Sequence, residues 1–168
     1  MPNAKVIINT IANTSVHLQG QMRDAAFNIG LAESLMSAKT IFIKPNLTYP
    51  TFKKGVTTRV GFVRDLVAVI CEINPELKIY IGEGEGGYNS FSMTETFRNM
   101  GFFEIEKDFN QVKVINLSEL PTKKVSLEIP GGRYEVDLST LFDEIDFSIS
   151  CPVPKVHAMT KISLSYKN

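Results

Sequence analysis

The segment Thr40–Lys44 (TIFIK) constrains the fold more than any other, because its apolar residues run without interruption and then stop at Pro45. A continuous run such as Ile41, Phe42 and Ile43 is what a strand covered on both faces requires, and such strands belong to parallel sheets. Lys78–Ile81 (KIYI) repeats the pattern and opens into the glycine-rich segment Gly82–Gly87. Between the two runs, Thr57 or Thr58 is expected to cap a helix from about Arg59 to Ile73, with Phe62, Leu66, Val69, Ile70 and Ile73 facing the core.

Weaker signals flank this pair. Lys5–Ile11 (KVIINTI) reads as a short strand, followed by the polar stretch Ala12–Gln21. Met22, Ala26, Ile29, Ala32 and Met36 then recur at helical spacing, and Lys39 closes that helix. Ser92 with Glu95 forms a capping box for a helix that runs through Met100 and ends at Gly101. Gln111–Leu117 alternates into a strand, and Lys124–Ile129 with Arg133–Leu138 reads as a hairpin across Pro130-Gly131-Gly132. Leu138–Phe142 is expected to make one helical turn, Asp146–Cys151 a strand stopped by Pro152, and Ile162–Tyr166 a last strand. Strands alternating with helices imply right-handed parallel crossovers. The expected fold is therefore α/β, a mostly parallel, Rossmann-like sheet with flanking helices and an antiparallel hairpin excursion, in one domain spanning residues 1–168.

Composition narrows the function classes. Lys plus Arg and Asp plus Glu number 18 each, so no global field favours nucleic acid, and no aromatic and basic stripe suggests one locally. No stretch approaches the length of a membrane span, and the N-terminus lacks a secretory signal. The two cysteines, Cys71 and Cys151, have no partner spacing, which leaves no iron–sulfur or zinc motif in this chain and argues for a reducing cytoplasm.

In open parallel sheets, ligands collect outside the carboxyl ends of the strands. Three such ends carry polar residues here: Lys44-Pro45-Asn46, Gly82-Glu83-Gly84-Glu85 and Pro152 through His157. Lys44 suits either an amine that acts as base or Schiff-base former, or a cation that holds an anion. Thr57, Thr58 and Arg59 at a helix N-terminus suit a phosphate or carboxylate, beyond simple capping. Gly82, Gly84 and Gly87 formally satisfy G-x-G-x-x-G, but Glu83 and Glu85 would repel a pyrophosphate. The glycines are better read as letting the backbone turn while a glutamate faces the site, to pair with Lys44 or Lys155, to bind a divalent metal or to act as a base. His157, two residues beyond Lys155, suits a proton shuttle or a metal ligand. Glu83, Glu85 and His157 are thus the metal candidates, and Cys151 is better read as a buried thiol than as a nucleophile.

Taken together, Ile43-Lys44-Pro45-Asn46, Gly55-Val56-Thr57-Thr58, Gly82-Glu83-Gly84, Pro154-Lys155-Val156-His157 and Lys167-Asn168 resemble the family called domain of unknown function 362. Its members read "IKPN", "GVTT", "GEG", "PKTH" and "SLKN" in that order. The resemblance departs at Val156, where the family places threonine, and at Asn168, beyond which members continue; a truncated longer polypeptide is expected. It implies a site built on Lys44, Glu83, Lys155 and His157, with Asn46, Thr57, Thr58, Arg59, Gly82, Gly84 and Asn168 around the ligand. It also implies a ferredoxin-like partner, since members are often joined to such modules. A more distant similarity is to the N-terminal domain of nickel-dependent lactate racemase, through Thr57-Thr58-Arg59 before an apolar helix. The expected function is an enzyme, or the substrate-binding part of one, acting on a small anionic molecule in a metal- or redox-linked reaction. The alternative is a regulatory or scaffold module completed by a partner or a missing C-terminal segment. A homo-oligomer is among the candidate assemblies.

Overall fold

In a computed structural model of the chain, residues 5–10, 15–86, 90–157, 161–163, 165 and 168 are described. The helices are α1 (Ser15–Asn28), α2 (Leu31–Ser37), α3 (Val60–Ile73), α4 (Met93–Met100) and α5 (Phe103–Asp108). The strands are β1 (Thr40–Pro45), β2 (Lys78–Glu83), β3 (Val112–Asn116), β4 (Thr122–Ile129), β5 (Gly132–Ser139), β6 (Phe147–Cys151), β7 (Lys155–His157) and β8 (Lys161–Ser163). Four of these strands make a parallel sheet in the order β3-β2-β1-β6, while β4 with β5 and β7 with β8 make antiparallel pairs. The α/β class, the parallel sheet with helices and the hairpin are as the sequence predicts.

The core lies between one face of the sheet and the helices. Ile41, Ile43, Ile79, Ile81, Val112 and Val114 alternate onto that face and are buried against Val63, Val67 and Ile70 of α3 and Phe97 of α4. Each large apolar side chain so buried contributes about 1.5–3 kcal/mol. On the opposite face Phe42 is almost completely covered, meeting Phe142 edge-to-face at 5.1 Å between ring centroids. Phe42 also explains Gly82: a Cβ there would lie 2.6 Å from the Phe42 ring, so glycine is needed for packing at that point.

Several predicted elements differ from the observed ones. Residues 5–10 form no strand; Val6 is 77% and Ile8 91% exposed, and the edges of the parallel sheet are β3 and β6. A β-branched run without a neighbouring edge has nothing to pair with, and Ile11 lies outside the described residues. The single helix expected from Met22 to Lys39 is two helices. Its first half begins at Ser15, within the stretch read as polar, and Gly30 breaks the path in the left-handed region at φ 80°. Leu18 and Ala26 are buried on α1, and Leu35 on α2 joins the core beside α3, so tertiary packing overrides the polar local composition. Helix α3 spans nearly the expected residues, but its N-cap is Arg59, without a side-chain cap. At α4, by contrast, Ser92 accepts from the Glu95 N–H and Gly101 closes the helix at φ 79°. Helix α5 and strand β7 were not read from the sequence, being only six and three residues long. The last strand occupies Lys161–Ser163, and parts of the expected Ile162–Tyr166 lie outside the described residues.

Candidate functional site

The strand order brings the predicted polar ends together. Because β1 lies between β2 and β6, with Lys44 in register with Ser150 and Pro45 with Cys151, the segments leaving all three strands emerge side by side. At the junction of β1 and β2, the Lys44 ammonium donates to a Glu83 carboxylate oxygen at 2.6 Å. The side chains are 26% and 14% exposed, so water screens this pair less than a surface one. The other oxygen of Glu83 accepts the Gly84 N–H at 3.0 Å, which fixes the carboxylate and leaves it aimed at the lysine. The pair is a charge-assisted hydrogen bond at the mouth of the sheet.

The segment from Asn46 to Arg59 folds back on the same end. The Thr58 hydroxyl accepts from the Asn46 N–H at 2.8 Å and donates to the Cys151 carbonyl at 2.6 Å, while the Thr58 N–H donates to the Asn46 carbonyl. One buried side chain therefore ties the start of α3 to the ends of both β1 and β6. Thr57 is also buried, and its hydroxyl bonds to the backbone of Lys53. The Asn46 amide donates to the Val56 carbonyl at 2.7 Å, and Lys155 donates to that carbonyl at 3.0 Å and to the Thr48 hydroxyl at 3.2 Å. These side chains hold the loop. Arg59, exposed at the head of α3, is not drawn into this backbone network. Asn168 donates to the Lys44 carbonyl at 3.0 Å and to Ser150 at 2.9 Å, which places it across the ends of β1 and β6.

Other predicted residues are placed differently. Gly82 is packed under Phe42, whereas Gly84 offers its N–H to Glu83. Glu85 turns away from Lys44: its N–H donates to Ser118, and its carboxylate accepts from Asn116 at 3.4 Å. The backbone of His157 pairs with Lys161 in the β7–β8 ladder, and its side chain lies outside the described part of the chain, as does Gly87. Among the described residues, no three His, Cys, Asp or Glu side chains gather to hold a metal ion. Cys151 is buried, and desolvation pushes its thiol up to about 12, so it holds its proton at neutral pH.

Sequence reasoning missed the neighbouring polar cluster. Buried Asn116, at the end of β3, donates to Glu119 at 2.9 Å and to Thr94 at 3.3 Å, and accepts from the Ser118 N–H. The available signal was an Asn-x-Ser turn directly after a strand, which is common where a short polar side chain caps a turn.

An α/β domain with a lysine–glutamate pair at its central strand ends, and an anchored helix N-terminus beside it, is the class that fold and site define. Residues 41–168 match the family described as Domain of unknown function (DUF362), and the chain belongs to that family. No curated protein and no solved structure matches the chain. No helix among the described residues is long and apolar enough to cross a membrane.

Proposed function

We propose that this domain binds a small anionic molecule at the carboxyl ends of β1, β2 and β6, as an enzyme or as the substrate-binding part of one. The observation that carries this reading is the Lys44–Glu83 pair, partly buried at adjacent strand ends. An ammonium has three N–H donors, and the bond to Glu83 accounts for one, so Lys44 has the chemistry to hold a carboxylate or phosphate. Glu83 is an acceptor placed to take a proton from Lys44 or from a ligand seated between them. The start of α3, tethered to the same strand ends by Thr58, adds backbone N–H groups and the positive end of a helix dipole. Arg59 supplies a guanidinium there. Lys155 contributes positive charge while anchoring the loop through Val56 and Thr48.

In this reading Lys44, Glu83, Lys155 and His157 are the reacting or proton-moving groups. Asn46, Thr57, Thr58, Gly82, Gly84 and Asn168 shape the site through the backbone. A divalent metal held by Glu83, Glu85 or His157 belongs to the same proposal on the chemistry of those donors, and a ferredoxin-like redox partner belongs to it on the family resemblance alone. The unpaired thiols Cys71 and Cys151 suit a reducing, cytoplasmic setting. A second reading, a non-catalytic module completed by a partner, is favoured by one observation. The Asn46 amide nitrogen and the Thr57 and Thr58 hydroxyls are all engaged with backbone groups of the chain.

Calorimetric titration with inorganic phosphate and with small mono- and dicarboxylates separates the two. The ligand-binding reading expects at least one anion to bind wild type, and Lys44→Met to lose that binding while remaining folded by far-UV circular dichroism. Absence of binding to all of them favours the non-catalytic module.

A further inference from the structure

We infer that the outer edge of β4 is a self-association surface, on which a second copy of this chain pairs antiparallel to build a four-stranded sheet β5-β4-β4-β5. Strands β4 and β5 pair only with each other among the described residues, and each is eight residues long. A two-stranded hairpin is marginal on its own, and a long open edge invites another strand. One face of this hairpin is largely apolar, carrying Val125, Leu127, Ile129, Tyr134, Val136 and Leu138, with Lys123 at its far end opposite Leu138. Leu127 is 44%, Ile129 53% and Tyr134 49% exposed. The other face carries Lys124, Ser126 and Glu128 on β4.

The register follows from the turn and the charges. Ile129 pairs with Gly132 across the two-residue turn Pro130-Gly131. In such a hairpin, the closing pair and every second pair beyond it exchange backbone hydrogen bonds. Residues 123, 125, 127 and 129 therefore turn their backbone groups to β5, and residues 122, 124, 126 and 128 turn theirs outward. A two-fold axis at Ser126 pairs outward-facing residues with outward-facing residues. It sets Lys124 opposite Glu128 of the second copy, twice over. On the apolar face it sets Val125 opposite Leu127 of the second copy, and so extends the row from Val136 through Val125 to Leu127 and Tyr134 of that copy. Pairing through β5 instead sets like charges face to face in either two-fold register, Glu135 against Glu135 beside Arg133 against Asp137, or Glu135 against Asp137 twice over, whereas the β4 register sets none. Charge complementarity thus selects β4, and opposite charges directly across a ladder favour that register. Edge pairing of one strand buries less than a standard interface, so the dimer is concentration-dependent rather than obligate.

Sedimentation velocity from about 1 to about 500 µM, a range that brackets a weak edge-to-edge contact, tests the inference. Wild type is expected to pass from monomer to dimer. Lys124→Glu and Glu128→Lys each set like charges across the two-fold, and each should weaken the dimer by about tenfold or more. Mixed in equal amounts, the two variants restore opposite charges in both contacts and should form a heterodimer. Ser126→Pro removes an outward N–H without touching a backbone bond to β5, losing only the side-chain bond that the Ser126 hydroxyl accepts from Arg133 at 3.0 Å, and should leave a monomer whose far-UV circular dichroism is unchanged. Wild type that stays monomeric over the whole range overturns the inference. So does a dimer that Ser126→Pro and Lys124→Glu leave as tight as wild type.

Discussion

At Thr58 one hydroxyl serves two backbone groups, the Asn46 N–H and the Cys151 carbonyl, and nothing smaller joins the end of β1, the end of β6 and the start of α3. Thr58→Val keeps the shape but leaves both groups without their partner, at about 1–3 kcal/mol for each buried group left unsatisfied. Thr58→Ser keeps the hydroxyl and should retain most of the stability, a contrast that urea denaturation of the two variants will show. Gly82→Ala should cost about 1–3 kcal/mol by overpacking against Phe42, with the urea midpoint falling and the slope unchanged. Residue placements were legible where a charged side chain ends an apolar run, as with Lys44 and Glu83, because position in the strand alone brings them to the same sheet end. They were not legible where the partner lies far along the chain. Glu85 turns to Asn116, 31 residues away, through a short turn that periodicity does not reveal. Thr58 reads equally well as a helix cap until β6, 93 residues further on, is seen beside it.

At the scale of elements, β1 begins as well as ends in a defined contact. Asp146, just before β6, accepts the N–H groups of Lys39 and Thr40 at 2.7 and 2.9 Å and so clamps the start of β1. Those bonds, from Thr40 foremost and then Lys39, favour the carboxylate and hold Asp146 below its ordinary 3.8. A depressed folded-state value contributes stability above 3.8 that is lost as the pH falls through the lower folded value. The stability difference between wild type and Asp146→Ala should therefore be constant near neutral pH and narrow below 3.8. Thermal midpoints of both proteins from pH 7 to about pH 2.5, the span over which such a carboxylate titrates, measure it. A gap that persists undiminished at the acid end would place the clamp elsewhere. Elements with a local signature were legible: the hairpin from its alternation and turn, α4 from Ser92 and Gly101. Residues 5–10 carry strand residues without a strand, since pairing depends on an available edge and not on composition.

Across the whole molecule, the parallel sheet is covered by helices on one face and more sparsely on the other. Lys78, Lys113, Ser148 and Ser150 remain exposed there, around the covered Phe42. The strand ends carry the Lys44–Glu83 pair, and the hairpin carries an open edge at β4. The central claim concerns the first. Backbone amide chemical shifts of wild type, followed during titration with the tightest-binding small anion, test it most directly. The account predicts that perturbations centre on Asn46, Gly84, Val60 and Gly61, and that Lys44→Met abolishes them. Perturbations that fall elsewhere, or that survive Lys44→Met unchanged, would contradict it.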